Sequence, residues 1–172
     1  DDGSLIRFCG VGFTDRLDVP PKVLYIASAV AAHPKNDLAI LKITEAVKKT
    51  VLPTTFTAIS TKGASASVAN LTLGDVVYIA GYPGIGADTF TFTQGVVSGR
   101  VGKNYIKTSA LIDTGTSGGA AFDGAGRFIG VATAAAKGEI GGSLGYLIGG
   151  DIVESFVSDY FQGKNLLPVP KK

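Results

Sequence analysis

Hydrophobic and polar positions alternate along most of this chain in short runs, broken by glycine and proline. Residues 4–13 and 22–31 read as two strands joined by a turn around residues 15–21, where Pro20-Pro21 rules out a helix. Residues 37–43 form a short strand with a continuous apolar centre of Leu38, Ala39, Ile40 and Leu41. Residues 50–70, rich in Thr, Ser and Ala, show little periodicity and read as an ordered surface strap crossing between two halves. From Leu73 onward strand signals come at close spacing: residues 76–81, 90–97, 105–109, 120–122, 128–133 and 144–148, separated by Gly-rich turns. Only the end reads as helical. Asp151 can cap a segment whose Ile152, Phe156, Val157, Tyr160 and Phe161 recur at helical spacing, and Gly163 stops it. The pattern predicts a mainly β chain, an antiparallel sandwich or barrel, with one amphipathic helix near the C-terminus.

Composition narrows the class of protein. At 172 residues the chain is the size of one domain, and 45% hydrophobic against 17% charged residues supply a core and exclude a disordered tail. The 24 glycines suit strands joined by tight turns. No apolar run approaches the ~20 residues of a membrane-spanning helix. A net charge of +2 from scattered lysines and arginines gives no basic stripe for nucleic acid. Cys9 is the single cysteine, so neither an intrachain disulfide nor a cysteine-based metal cluster is expected. No metal site is visible, and no cofactor is implied. Gly81-Tyr82-Pro83-Gly84-Ile85-Gly86 follows a strand and opens no helix, so it is not read as a nucleotide loop. The chain begins Asp1-Asp2 and contains no methionine, from which a processed or truncated N-terminus is expected.

Two motifs carry chemistry. In Thr114-Gly115-Thr116-Ser117-Gly118-Gly119 a serine follows a glycine by two positions. Such a glycine lets the chain curl so that its N–H and that of the serine point into one hole, where an oxyanion is stabilised. The glycines after the serine leave the approach open. A Gly/Ser hairpin without catalytic use is the plain alternative. In Asn36-Asp37-Leu38-Ala39-Ile40-Leu41 an acid stands at the mouth of an apolar strand, where it is expected to be partly buried and hydrogen-bonded. It orients a histidine in a triad, or only caps a turn.

Together these motifs resemble a trypsin-like serine protease of the chymotrypsin fold, in the bacterial group that includes the HtrA/Deg proteases. Residues 37–43 are similar to that family's aspartate strand, and Gly74-Asp75-Val76-Val77-Tyr78-Ile79-Ala80-Gly81-Tyr82-Pro83 to the first strand of its second barrel. Residues 91–100 resemble the next hairpin strand, 115–119 the nucleophile loop and 126–133 the strand after it. Residues 142–148 resemble the strand that pairs with bound substrate, followed by the C-terminal helix. The resemblance implies an all-β fold of two six-stranded antiparallel barrels plus that helix. Residues 1–52 would be the remainder of an incomplete N-terminal barrel, 53–70 the connector, and 71–172 the C-terminal barrel with its helix.

It also implies roles. Ser117 would be the nucleophile, Asp37 the acid of the triad, and the amides of Gly115 and Ser117 the oxyanion hole. Leu111, Ile112, Tyr146, Leu147 and Ile148 would shape an apolar specificity pocket for a small or medium aliphatic side chain, with Asp113 at its wall. The partner would be a polypeptide substrate adding as a strand beside residues 142–148. The family's catalytic histidine has no match, because His33, the single histidine, falls in the loop leading into the aspartate strand. The catalytic histidine is therefore expected from an N-terminal segment or chain upstream of Asp1. Thr116 replaces the aspartate that serves zymogen activation, and Ala120 replaces a usual proline. The group implies a periplasmic or secreted location. A catalytically inactive peptide-binding or assembly module on the same fold is the alternative, and a structural β-protein a weaker one.

Overall fold

The computed structural model describes residues 8–47, 50–51, 55–137 and 143–164, with the side chains of 134–137 left aside. They fall into two compact units. One takes in residues 1–16, 21–58 and 156–172, and the other residues 17–20 and 59–155.

The first unit is a three-stranded antiparallel sheet of β1 (Phe8–Phe13), β2 (Lys22–Ala32) and β3 (Ala39–Ala46), with β2 in the middle. Alternation along β2 turns Tyr25, Ala27, Ala29 and Ala31 to the buried face. Phe13, Tyr25 and Phe56 form an aromatic cluster, with Phe13 and Phe56 stacked at 5.2 Å. The expected strand at 4–13 is seen from Phe8, and its first residues lie outside those described.

The second unit is a closed antiparallel barrel in the order β4-β5-β6-β9-β8-β7. Its strands are β4 (Val76–Gly81), β5 (Thr91–Val101), β6 (Tyr105–Thr108), β7 (Ala120–Asp123), β8 (Phe128–Lys137) and β9 (Ser143–Gly149). One residue of each pair points inward, so Val77, Ile79, Val97, Ile106, Ile129 and Leu147 meet in one core. Each such side chain contributes about 1.5–3 kcal/mol on full burial. Closure leaves the strands no free outer edge except where one overhangs its neighbour.

The described residues also form a short 3-10 turn at Gly84–Gly86 and two α-helices, of which the first departs from the sequence expectation. The segment 50–70, read as a strap, contains α1 (Ala64–Ala69), which sends Val68 into the barrel core. Its first turn is capped from a distance. The Glu154 carboxylate accepts the amides of Gly63 (2.7 Å) and Ser65 (2.9 Å) and the Ser65 hydroxyl (2.7 Å). Those bonds hold the carboxyl below its ordinary range. The C-terminal helix, α2 (Gly150–Phe161), buries Val153 and Phe156, while Phe161 is exposed. Asp151 stands in its first turn, favourable to the helix dipole, and its Oδ1 finds no hydrogen-bond donor. No helix among the described residues is long and apolar enough to cross a membrane.

Candidate active site

The loop that carries Ser117 joins two strands of the closed barrel. It leaves the β6 side, runs through residues 109–119 and enters β7. Asp113 and Thr116 close its turn: the Thr116 amide donates to the Asp113 carbonyl (2.9 Å), and the Asp113 amide to the Thr116 hydroxyl (3.3 Å). Thr116, where the resemblance wanted an aspartate, is thus buried as a turn-closing residue. Beyond the serine, the Gly118 amide donates to the Ala132 carbonyl (2.8 Å) and the Ala132 amide to that of Gly119 (2.9 Å). These bonds fasten the loop to β8.

Gly115 has φ +92°, in the left-handed region. A Cβ there would lie 2.6 Å from the Tyr82 carbonyl oxygen and 3.3 Å from the Gly84 nitrogen. Only glycine fits both the dihedral and the gap. On its N-terminal side the Thr114 carbonyl accepts the Gly84 amide at 2.9 Å. Carbonyl and N–H of a trans peptide point oppositely, so the Gly115 N–H is turned away from Gly84. Neither the Gly115 nor the Ser117 amide has an acceptor among the described residues. Ser117 is exposed, and its hydroxyl donates to the Thr133 carbonyl at 3.0 Å.

The expected pocket residues divide. Leu111 is exposed at 40%, whereas Ile112 is buried, its side chain filling the space where a Cβ on Gly145 would stand (2.7 Å from Cδ1). Tyr146 is half-buried on β9, and Leu147 and Ile148 are fully buried. The expected strand addition beside residues 142–148 is not open to substrate. β9 pairs with β6 at Gly145–Ile148 and with β8 along Ser143–Gly149, so both its edges are taken. The free edge belongs to β8. Its pairing with β7 ends at Val131, and the Gly118–Gly119 bonds end at Ala132. Residues 133–137 keep β9 on one side and, among the described residues, have no strand on the other, beside Ser117. The sequence carries no signal for Thr133, because hydrophobic alternation does not say which edge of a strand is left unpaired.

Asp37 and His33 lie in the sheet unit. Asp37 is exposed just ahead of β3, and its carboxylate has no hydrogen-bond partner among the described residues, contrary to the expected burial. His33 closes the loop that carries Asp37: its Nδ1 accepts the amides of Lys35 (3.1 Å) and Asn36 (3.0 Å). The ring sits edge-on to Phe156 at 5.2 Å. Burial, then the Lys35 cation, push its pKa below the ordinary value, against a smaller opposing effect of Asp159. A triad histidine must donate from Nδ1 to the acid, and an Nδ1 that accepts two amides has no proton to give. His33 is a loop-closing residue.

A closed antiparallel barrel that presents a serine in a glycine-shaped loop, followed by a C-terminal helix, defines a domain of the trypsin fold. The trypsin-like peptidase domain model matches residues 7–131, and the chain belongs to that family. Among curated proteins it is 38% identical over 97 residues to Protease Do-like 2, chloroplastic, of Arabidopsis thaliana, covering 51% of this chain and 16% of that protein. It is 35% identical over 127 residues to a probable periplasmic serine endoprotease DegP-like of Brucella suis, covering 69% and 22%. The chain thus spans under a quarter of the length of these relatives. Among solved structures it matches the HtrA-type protease AlgW with decapeptide at TM-score 0.59 and 30% identity, over 80% of this chain and 41% of that one. The MamO protease domain of Magnetospirillum magneticum shares the fold at TM-score 0.56 and 23% identity, over 77% and 67%.

Proposed function

We propose that this chain is the catalytic domain of a serine endopeptidase in which Ser117 Oγ attacks the scissile carbonyl. The observation that carries the reading is an exposed Ser117 whose own amide and that of Gly115 find no acceptor among the described residues, while the Thr114 carbonyl is tied back to Gly84. Two such donors suit the oxygen of a tetrahedral intermediate. A histidine takes the Ser117 proton as the Oγ–carbon bond forms, then gives it to the leaving amine as the peptide bond breaks. Water hydrolyses the acyl-enzyme by the same path in reverse roles. Asp37, exposed and unpartnered, orients that histidine. With His33 committed to its loop, the base comes from beyond these 172 residues.

An extended polypeptide would lie along the open edge of β8 at residues 133–137, recognised through its backbone first. The specificity site proposed here lies at Leu111, with Tyr146 at its side and Ile112, Leu147 and Ile148 as its buried support; Ile112 packs against Gly145, which suits a small aliphatic side chain. The DegP-like relatives are described as periplasmic, which supports a periplasmic or secreted location for this protein. The test is a fluorophosphonate probe on the full-length protein. Labelling that disappears in Ser117→Ala is the expected result; absence of labelling in the wild type sinks the enzyme in favour of a non-catalytic peptide-binding module.

A further inference from the structure

The loop that brings Asp37 to β3 turns on one side chain. Residues 33–38 join β2 to β3, and the His33 amide closes the mouth of the loop on the Leu38 carbonyl (2.9 Å). Inside it Pro34 has no N–H to give, and the amides of Lys35 (3.1 Å) and Asn36 (3.0 Å) both donate to His33 Nδ1. The Leu38 amide donates back to the Asn36 carbonyl (2.8 Å), a three-residue turn with Asp37 at its centre. The backbone before Asp37 is thus fixed by the imidazole, and that after it by the turn. The ring is itself held edge-on to Phe156 of α2 at 5.2 Å, with the Asn36 side-chain nitrogen 3.3 Å from Nδ1. The charged groups that face it are Lys35 on its own loop and Asp159 on α2, the latter paired with Lys164 at 2.9 Å.

We infer that His33 is a positioning residue for the reaction: its neutral imidazole, accepting at Nδ1, fixes the backbone on which the triad acid Asp37 stands. The inference rests on the serine protease reading above. Two amides donating to Nδ1 occupy its lone pair, so the ring carries its proton on Nε2. A second proton would put a further N–H where those amides point, and Lys35 and Asn36 would lose their acceptor. Burial and then the Lys35 cation oppose the charged ring, while Asp159 favours it less. An imidazolium therefore leaves its place in the loop, and Asp37 loses its fixed approach to the catalytic histidine. The position of the acid becomes a function of pH below the ordinary histidine range.

Peptidase kinetics on the full-length protein test this with two variants that separate the acceptor from the ring. His33→Asn supplies a neutral side-chain oxygen that can bond backbone amides a few positions on, with no ring and no titrating group. His33→Phe keeps a ring against Phe156 and offers no acceptor. Near neutral pH, H33N is expected to hold kcat close to the wild-type value. H33F is expected to lower it about 10²-fold, the loss for a catalytic group displaced by about 1 Å, with KM unchanged. A role in packing alone gives the reverse order, and either that order or equal kcat in the two variants overturns the inference. Should H33F fail to fold, the pH profiles of wild type and H33N decide in its place. As pH falls, log kcat of the wild type should steepen to a slope of about 2, because the catalytic base and His33 each take up a proton, whereas H33N stays at about 1. Equal limiting slopes overturn the inference. A wild type without fluorophosphonate labelling removes the protease reading, and Asp37→Asn with wild-type kcat removes the acid from it; either takes this inference with it, whatever the His33 variants do.

Discussion

Replacing Gly115 by alanine puts the proposed oxyanion hole under a strain whose size the structure sets. At φ +92° an L residue costs about 1–2 kcal/mol. The new Cβ would lie 2.6 Å from the Tyr82 carbonyl oxygen, which is backbone and has no rotamer by which to retreat. Forcing such a contact open costs about 1–3 kcal/mol more. If the loop keeps its shape, the whole cost of about 2–5 kcal/mol falls on stability, a Tm drop of roughly 5–15 °C for a chain of this size. The cheaper escape is to rotate the Thr114–Gly115 peptide and surrender the donor. Loss of one such donor lowers kcat by about 10²–10³. Thermal unfolding and peptidase kinetics on full-length Gly115→Ala therefore read complementary outcomes, and a fall in kcat with little change in KM marks the second. A variant that keeps both its Tm and its kcat refutes the geometry argued for this loop.

Other expectations follow from single contacts. Ile112→Ala opens the space against Gly145, so kcat/KM for peptides with a bulkier residue at the cleaved bond should rise about tenfold or more relative to valine, measured on paired substrates. Asp37→Asn removes no contact among the described residues, so Tm should stay put while kcat falls by about 10⁴, as expected for a lost triad acid; a kcat within tenfold of wild type sinks that role. His33 is held neutral with a lowered pKa, so the unfolded chain takes up its proton first as pH falls. Stability is then fully present above the ordinary value of 6.5 and declines as pH drops through it toward the folded value. His33→Ala should flatten the slope of Tm between pH 7 and pH 5, and an unchanged slope refutes the assignment. Ile79→Ala, at the barrel centre, should cost about 2–5 kcal/mol in denaturant unfolding.

The barrel was legible because its signal is local. β4 spans Val76–Gly81, as its alternation predicts, with Val77 and Ile79 inward and Tyr78 outward. The turn at residues 114–119 was legible for the same reason, since glycine at 115 answers a dihedral and a gap within one loop. What the sequence could not show depends on distant partners. α1 has little helical periodicity and no capping side chain of its own, and Glu154, which satisfies its first turn, lies 91 positions from Gly63. Phe161 shares the helical spacing of Phe156 yet is exposed, because spacing alone cannot tell which stripe of α2 is covered. The open edge of β8 was mistaken for one on β9, because both strands alternate alike and only the ladder shows which is already paired on both sides.

The two halves of the proposed chemistry are shaped differently by their surroundings. The backbone bonds that hold residues 114–119 to the rest of the barrel run to Gly84 and Ala132, within one closed barrel whose ladders leave little freedom to rearrange. Asp37 enters β3 from an open three-stranded sheet, with its carboxylate in solvent. An exposed carboxylate orients a histidine poorly, because water competes for the same lone pairs at high dielectric. The acid, on the proposed mechanism, acquires its catalytic value only when the histidine and the backbone that carries it cover the carboxylate. On the proposed mechanism, the oxyanion hole is preorganised in the barrel while acid and base are assembled together, so loss of the covering segment should abolish turnover and leave the Ser117 loop folded.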